Sequence, residues 1–170
     1  MKLPHAKKSF GQNWLNDQSV VEKIITAAEI EKGESVFEIG PGTGVLTEAL
    51  VDAGAHVTAI ESDHDLIEPL KEKFGDKIKI IEGDILSPES PVPSPPYKLI
   101  SNIPYNITSD LLHHFLTNDS PPTRMVLMVQ REVADRIVAT PPDMSLLSVV
   151  CQVYARCKKV TNVPAGAFRP

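Results

Sequence analysis

Residues 35–44 read Ser-Val-Phe-Glu-Ile-Gly-Pro-Gly-Thr-Gly, an apolar run that ends in three alternating glycines. The run Ser35–Ile39 predicts a buried strand, and the glycines permit a tight turn into the N-terminus of a following helix. Backbone N–H groups at such a turn can approach a ligand closely. The spacing Gly-x-Gly-x-Gly differs from the Gly-x-Gly-x-x-Gly dinucleotide fingerprint, so taken alone it also fits a purely structural turn.

Outward from this turn, strand-like and helix-like segments alternate along the chain. Strands are predicted at 35–39, 56–60, 77–81, 98–101, 125–129 and 156–160, and helices at 20–28, 43–53, 63–74, 109–116, 131–139 and 145–154. The proline density of residues 88–96 predicts a loop. The alternation predicts an α/β fold with a mostly parallel sheet and helices on both faces. Ligands bind such sheets at the carboxyl ends of the strands, where the strand order reverses.

Composition predicts one globular domain of 170 residues, with 42% hydrophobic and 23% charged residues. No apolar run reaches the roughly 18 residues of a membrane span, and the basic start has no apolar stretch of a signal peptide behind it. Cys151 and Cys157 fit thiols of a reducing compartment, so a cytoplasmic location is expected. No set of His, Cys and carboxylate residues has the spacing of a metal site, and no metal is expected.

The net charge of -5 is unusual for a nucleic-acid-binding domain, which commonly carries a basic excess. Basic residues are nevertheless concentrated at the two ends of the chain, and either group also fits a solvated face. They are Lys2, His5, Lys7 and Lys8 at the start, and Arg156, Lys158, Lys159 and Arg169 at the end. Arg131 and Arg136 share a predicted helix with acidic residues, which favours pairing within the helix over RNA contact.

Acidic residues follow the second and third predicted strands. Glu61 stands some twenty residues past the glycine turn, where a carboxylate can accept hydrogen bonds from both hydroxyls of a ribose. Asp84, in Gly83-Asp84-Ile85, could accept from an adenine amino group. A solvated strand end and a turn aspartate remain the alternatives for the two positions.

The fourth predicted strand is followed by Asn102-Ile103-Pro104-Tyr105, a combination suited to presenting a planar amine to a methyl donor. The amino nitrogen of adenine is a poor nucleophile because its lone pair is delocalised into the ring. Acceptors that hold its hydrogens out of plane favour the tetrahedral form, and the Asn102 side-chain oxygen with a main-chain carbonyl of Ile103 or Pro104 can do so. Tyr105 can stack on the base near the positive charge that develops on nitrogen. Positioning and electrostatics are then the main terms, and no general base is needed.

With these motifs at four consecutive strand ends, the chain resembles the small-subunit ribosomal RNA adenine N6,N6-dimethyltransferases over essentially its whole length. Residues 8–15, Lys-Ser-Phe-Gly-Gln-Asn-Trp-Leu, look like the family's N-terminal segment, in which Phe usually stands where this chain has Trp14. Residues 128–136 are similar to the segment after its fifth strand, and residues 163–170 resemble its proline-rich segment with a base-stacking Phe.

The resemblance implies a Rossmann-like S-adenosylmethionine-dependent methyltransferase fold and N6-dimethylation of two adjacent adenines in small-subunit rRNA during ribosome assembly. The implied partner is this rRNA or the immature small subunit, without a membrane, and a monomer is expected. The implied S-adenosylmethionine-binding residues are Asn13, Leu15, Glu38, Gly40, Gly42, Glu61, Asp84, Ile85 and Asn102. The implied residues around the flipped adenine are Asn102, Pro104, Tyr105 and Phe168.

Two departures from the family accompany the resemblance. Met144-Ser145 stand where the family often has Tyr-Gly, and the sequence stops at Pro170, ahead of the family's last strand and helical domain. Residues 1–170 are therefore expected to form the methyltransferase domain alone, from a truncated gene product. Two alternatives stay open: a large-subunit adenine methyltransferase of the macrolide-resistance type, and a non-catalytic RNA-binding or transcription factor on the same scaffold.

Overall fold

The computed structural model describes Lys7 and residues 12–169. A five-stranded parallel sheet forms its centre, from β2 (Ser35–Ile39), β3 (His56–Glu61), β4 (Ile78–Glu82), β5 (Lys98–Asn102) and β6 (Arg124–Met128). A two-stranded antiparallel ribbon joins β1 (Trp14–Leu15) to β7 (Phe168–Arg169). The helices are α1 (Gln18–Ala28), α2 (Val45–Asp52), α3 (His64–Phe74), α4 (Thr108–Leu116), α5 (Arg131–Ile137) and α6 (Leu146–Tyr154).

The strand order of the main sheet is β4-β3-β2-β5-β6. Strands β3 and β4 are therefore added on one side of β2, and β5 and β6 on the other, so the strand order reverses between β2 and β5. The crevice at a reversal point of a parallel sheet is the usual ligand site. The predicted parallel α/β architecture is confirmed, and with it the switch point that places the glycine turn after β2 beside Asn102 at the end of β5.

Successive side chains of each strand enter opposite hydrophobic layers, as the two-residue period of a strand requires. Val36 packs with α1, α2 and α3 on one face of the sheet, whereas Phe37 packs with Phe115 of α4 on the other. Both strand residues are almost completely buried. Strands buried on both faces have near-continuous apolar sequences, which is why they could be predicted to within one or two residues.

The predicted sixth strand at 156–160 is wrong, because the structure has no strand there. Three of its five residues are charged, and Val160 is 58% exposed, so the segment has little apolar surface to bury on a sheet. Lys159 instead pairs with Asp135 of α5 at 2.5 Å. Pattern analysis also missed β1 and β7, which have two residues each and no internal periodicity.

Helix caps explain several of the boundaries. Asp17 and Asp63 accept the backbone N–H two residues ahead and begin α1 and α3, and Ser145 begins α6 through a reciprocal capping box with Ser148. The loop 88–96 contains neither helix nor strand, as its prolines predict. Among the described residues, no helix combines the length and apolar character that a bilayer crossing requires.

Candidate active site

A cleft lies at the carboxyl ends of β2 to β5, which is the usual ligand site of a parallel sheet. Its walls include all but one of the site residues predicted from sequence, namely Asn13, Leu15, Glu38, Gly40, Gly42, Glu61, Asp84, Ile85, Asn102, Pro104 and Tyr105. The strand ends therefore bring together motifs that are as much as 92 residues apart in sequence (Asn13 to Tyr105).

The glycine turn forms the floor of the cleft. The N–H of Gly40 donates to Ile60 O at 2.8 Å, which ties the turn to β3. Gly42 has φ +58, and a Cβ atom there would lie 2.6 Å from Cζ3 of Trp14. The turn therefore needs glycine at position 42 both for its backbone angle and for the close approach of the indole.

Glu61 is nearly buried at the end of β3 and holds two backbone N–H groups. Its Oε1 accepts from Asp63 at 2.9 Å and its Oε2 from Gly42 at 3.2 Å. Burial raises the pKa of Glu61, while the hydrogen bonds from Asp63 and Gly42 act in the opposite direction. A carboxylate oxygen has more than one lone pair, so each oxygen retains acceptor capacity for a hydroxyl group in the cleft.

Glu38 lies deeper than Glu61, with 1% exposure, on the cleft side of β2. Thr47 Oγ1 donates to its Oε2 at 2.7 Å. Burial raises the pKa of Glu38 to about 8, and the nearby Glu61 carboxylate adds to the increase. The charge of Lys73 acts in the opposite direction with a smaller effect, so the pKa of Glu38 stays above its ordinary value.

Asp84 and Ile85 follow β4 and line the same cleft. Asp84 is exposed, and its Oδ1 accepts the N–H of Leu86 at 3.0 Å, which is the turn-aspartate geometry considered as the alternative for this position. Ile85 is buried in the layer with Phe37. The carboxylate thus stabilises its own turn and still faces the cleft, where it can accept from a ligand amine.

Asn102 is the last residue of β5, and a hydrogen bond fixes the orientation of its side-chain amide. Its Nδ2 donates to the backbone oxygen of Asn13 at 3.3 Å, and no hydrogen bond to its Oδ1 occurs among the residues that the structure describes. Because a carbonyl can only accept, this contact fixes which end of the amide is the nitrogen and leaves Oδ1 as an acceptor. Ser101, the preceding residue, donates from Oγ to Ile39 O at 2.5 Å and holds β5 against β2.

Pro104 and Tyr105 continue from Asn102 along the cleft wall. The Pro104 oxygen accepts the N–H of Ile107 at 3.2 Å in a 3₁₀ turn, whereas no hydrogen bond to the Ile103 oxygen occurs in the described part of the chain. Of the two carbonyls considered from sequence, that of Ile103 is therefore the less committed acceptor. Tyr105 is half-buried, and burial, with a smaller contribution from Glu132, raises the pKa of its hydroxyl.

Segment 12–15 closes the side of the cleft above the glycine turn. Sequence reasoning identified Asn13 and Leu15 but missed Gln12 and Trp14. Trp14 was treated only as an aromatic replacement, although the position of the sole tryptophan of the chain beside Asn13 was a signal for the cleft wall. Predicted family-segment residues 8–11 lie outside the described residues.

Phe168, the remaining predicted site residue, is not one of the residues lining the cleft. It is half-buried in β7, where it pairs with Leu15 and packs against the layer that contains Val36. Its neighbour in the ribbon is thus a cleft residue, and its assignment to the target base stays a prediction. Among the described residues, no cluster of three or more His, Cys, Asp or Glu side chains could hold a metal ion.

Comparison with known proteins gives one consistent family. The model of the family described as "Ribosomal RNA adenine dimethylase" matches residues 4–170. A ribosomal RNA small subunit methyltransferase A of Thermosynechococcus vestitus is 43% identical over 97% of this chain and 65% of its own length. A counterpart in Dehalococcoides mccartyi is 45% identical over 97% of this chain and 58% of its own length, so the chain spans less than two thirds of these curated relatives.

Solved structures give the same picture. A dimethyladenosine transferase from Plasmodium falciparum superposes with a TM-score of 0.81 and 31% identity, covering 91% of this chain and 57% of that protein. From the residues 4–170 that match the family model and the 43% identity to a curated relative, the chain belongs to the ribosomal RNA adenine dimethylase family.

Proposed function

We propose that this chain is the catalytic part of an S-adenosylmethionine-dependent methyltransferase that dimethylates the N6 amines of two adjacent adenines in small-subunit rRNA. The observation that carries the proposal is the position of the Asn102 amide in the same cleft as Glu61 and the glycine turn. The amide oxygen proposed to accept from the target amine and the carboxylate proposed to bind the ribose therefore line one cleft. The names of the relatives in Thermosynechococcus vestitus and Plasmodium falciparum support the same activity.

The residues of the cleft fit the donor. Glu61 retains acceptor capacity for the two ribose hydroxyls, and Asp84 is exposed where it can accept from the adenine amino group. Gly40 and Gly42 lack side chains where a ligand approaches the turn, and Glu38 lies below the turn near the place of the amino-acid end. Asn13, Leu15 and Ile85 complete the donor walls. When bound, the donor supplies an electrophilic methyl group on a sulfonium.

The methyl acceptor is a weakly nucleophilic amine, which the protein has to hold in place and favour in its tetrahedral form. Asn102 Oδ1 and the Ile103 oxygen are the acceptors that can take its two hydrogens, and their placement at a strand end keeps them rigid. Tyr105 provides a stacking face, and Pro104 restricts the backbone between the two. Phe168 is proposed for the opposite face of the base, where each stack contributes about 1–3 kcal/mol. The methylated amine then loses its proton to water.

The proposed partner is small-subunit rRNA, free or in an immature small subunit, met by a cytoplasmic monomer. Because the net charge is -5, RNA contact has to come from local basic surface rather than from the overall charge. Arg156 and Lys158 are exposed after α6 and are suited to phosphate contact. Arg131 lies 3.8 Å from Asp135, which is the pairing within the helix that the sequence predicted.

The test is transfer of labelled methyl groups from S-adenosylmethionine to immature small subunits, followed by mapping of dimethyladenine. For the unaltered chain, we expect label at two adjacent adenines. The Asn102→Ala variant should lose methyl transfer but still bind the donor, with an affinity measured by calorimetry that is reduced by no more than about tenfold. Asn118→Ala, a matched change in a surface turn away from the cleft, should leave both unchanged. Full transfer by Asn102→Ala would contradict the mechanism.

Large-subunit RNA belongs in the same assay as a competing substrate. The 23S rRNA methyltransferase ErmE superposes with a TM-score of 0.63 and 35% identity, covering 73% of this chain and 50% of that protein. Preferential labelling of large-subunit RNA would favour the resistance-type activity. Absence of measurable S-adenosylmethionine binding would instead favour the non-catalytic scaffold.

A further inference from the structure

Asp63 is a charged side chain with no place in the chemistry described above, yet it is only 2% exposed. It stands two residues after Glu61, and its backbone N–H is the group that Glu61 Oε1 accepts. Its Oδ1 accepts from Lys7 Nζ at 2.6 Å and from the N–H of Asp65 at 3.2 Å. Its Oδ2 accepts from Gln12 Nε2 at 2.7 Å.

Gln12 is held at both ends of its amide. Nε2 donates to Asp63, and Oε1 accepts the backbone N–H of Lys7 at 2.7 Å. Gln12 is also the first residue of segment 12–15, which forms the side of the cleft. The Asp63 carboxylate therefore anchors the outer end of this wall to the end of β3.

The same wall has two further attachments, each to a different strand end. The Asn13 oxygen accepts from Asn102 beyond β5, and Trp14 rests on Gly42 beyond β2. Neither involves a charge, whereas the Asp63 contacts combine an ion pair with a hydrogen bond from Gln12. Bonds to a buried ionised group are stronger than neutral ones, so the Asp63 anchor is stronger than the hydrogen bond from Asn102 to Asn13.

Asp63 remains ionised in this setting. Burial raises the pKa of its carboxyl, but hydrogen bonds from Lys7 and Gln12 outweigh burial and hold the pKa below its ordinary value. The anchor is therefore present over the whole neutral range.

We propose that Asp63 is a positioning residue for the donor site, which holds segment 12–15 in place through Gln12 and Lys7 and thereby sets the affinity for the methyl donor. The proposal rests on the proposed function, because the ligand of the cleft is taken to be S-adenosylmethionine. Asp63 touches neither donor nor acceptor in this scheme and acts through Gln12.

A purely structural role is the competing explanation, because Asp63 also caps α3 through Asp65 N–H. Asp63→Asn separates the two roles. Asn is as good a helix cap as Asp, but when its oxygen takes the place of Oδ1, its amide nitrogen takes the place of Oδ2 and cannot accept from Gln12. Asp17→Asn is the matched control, since Asp17 caps α1 in the same way and contacts neither Gln12 nor Lys7.

Gln12→Glu, combined with Asp63→Asn, exchanges the donor and the acceptor of the hydrogen bond between positions 12 and 63. Alone, it places two carboxylates in contact and should loosen the wall. Combined with Asp63→Asn, the new amide at position 63 can donate to the new carboxylate at position 12, with a negative charge still available to Lys7. A role carried by the Asp63–Gln12 contact is therefore restored in the double variant, whereas a cap or packing defect is not.

The experiment measures S-adenosylmethionine binding by calorimetry and initial rates of methyl transfer for the full chain. We expect Asp63→Asn and Gln12→Glu each to raise the Kd and KM for S-adenosylmethionine about tenfold with kcat changed by less than about twofold. The double variant should have a Kd and a KM within about threefold of those of the unaltered chain, and Asp17→Asn should have the same Kd and KM as the unaltered chain.

Two results overturn the inference alone, and a third overturns it together with the proposed function. An unchanged Kd in Asp63→Asn, in a chain that otherwise binds and methylates, would remove Asp63 from donor positioning and leave the proposed function standing. A raised Kd that the double variant does not restore would show that the contact between Asp63 and Gln12 does not carry the loss. If the unaltered chain shows no donor binding, the proposed function and this inference both fail.

Discussion

Replacing Gly42 with alanine adds one carbon atom to the glycine turn, at the place where Trp14 of segment 12–15 contacts the turn. The added Cβ would lie 2.6 Å from Cζ3 and 3.0 Å from Cε3 of Trp14, closer than side chains approach. Position 42 also has φ +58, which costs a non-glycine residue about 1–2 kcal/mol. Overpacking at a buried contact costs about 1–3 kcal/mol more. We expect Gly42→Ala to lose about 2–5 kcal/mol of unfolding free energy in total.

The two contributions can be separated with variants of this chain. Gly33→Ala has a similar positive angle, φ +87, but its nearest neighbour is His56 Nε2 at 3.9 Å, so it should lose only the backbone part, about 1–2 kcal/mol. Trp14→Phe removes the outer ring of the indole. Combined with Gly42→Ala, it should recover most of the overpacking cost and leave the backbone cost in place.

The assay is chemical denaturation for stability and calorimetry for S-adenosylmethionine. Gly42→Ala should also weaken donor binding by more than about tenfold, because a displaced Trp14 moves Asn13 and Leu15 with it. Gly33→Ala, at the far end of β2, should bind the donor normally. Equal losses of stability in Gly42→Ala and Gly33→Ala, with normal binding in both, would refute the contact between Trp14 and the turn.

Two further predictions concern buried charges. The folded pKa of Glu38, about 8, lies above its value of 4.5 in an unfolded chain, so its contribution is fully present below pH 4.5 and is lost as pH rises towards 8. The unfolding free energy should therefore fall by roughly 4 kcal/mol between pH 5 and 8.5 relative to Glu38→Gln, and parallel pH profiles would contradict this. Lys98→Met breaks the 2.6 Å contacts of Nζ with Glu34 Oε2 and Glu29 O, and should cost about 1–3 kcal/mol by denaturation. Donor binding should not change, because Lys98 begins β5 and the cleft lies at its other end; weaker binding would argue against that separation.

The main sheet was predictable because its strands are buried on both faces. Ser35–Ile39 was predicted with its observed bounds, and the alternation of strands with helices determines a parallel sheet. Arg156–Val160 shows where the same reasoning fails. Its position after a helix suggested a strand, but strand formation needs a partner and apolar surface, and three charged residues supply neither.

The cleft was predictable to the extent that its residues follow strand ends. Glu61, Asp84 and Asn102 met there because parallel strands end on one edge of the sheet. Trp14 and Gln12 follow no strand of that sheet, and their contacts with Gly42 and Asp63 join positions 28 and 51 residues apart. Local sequence patterns carry no information about such pairings. The resemblance to the family implied Asn13 and Leu15 in this wall, whereas the contacts of Gln12 and Trp14 emerged only from the structure.

Segment 12–15 is attached to the domain by two different kinds of force along its short length. Leu15 is 5% exposed within the hydrophobic layer, pairs with Phe168, and is followed by Asn16, whose N–H donates to Ala167 O at 2.9 Å. Gln12, by contrast, is held by a polar contact with Asp63, two residues beyond the end of β3. Apolar burial makes the Leu15 end part of the cooperative core, whereas polar contacts near water open at lower free energy. The Leu15 end of segment 12–15 is therefore expected to open only with the core, whereas its Gln12 end should open at lower free energy.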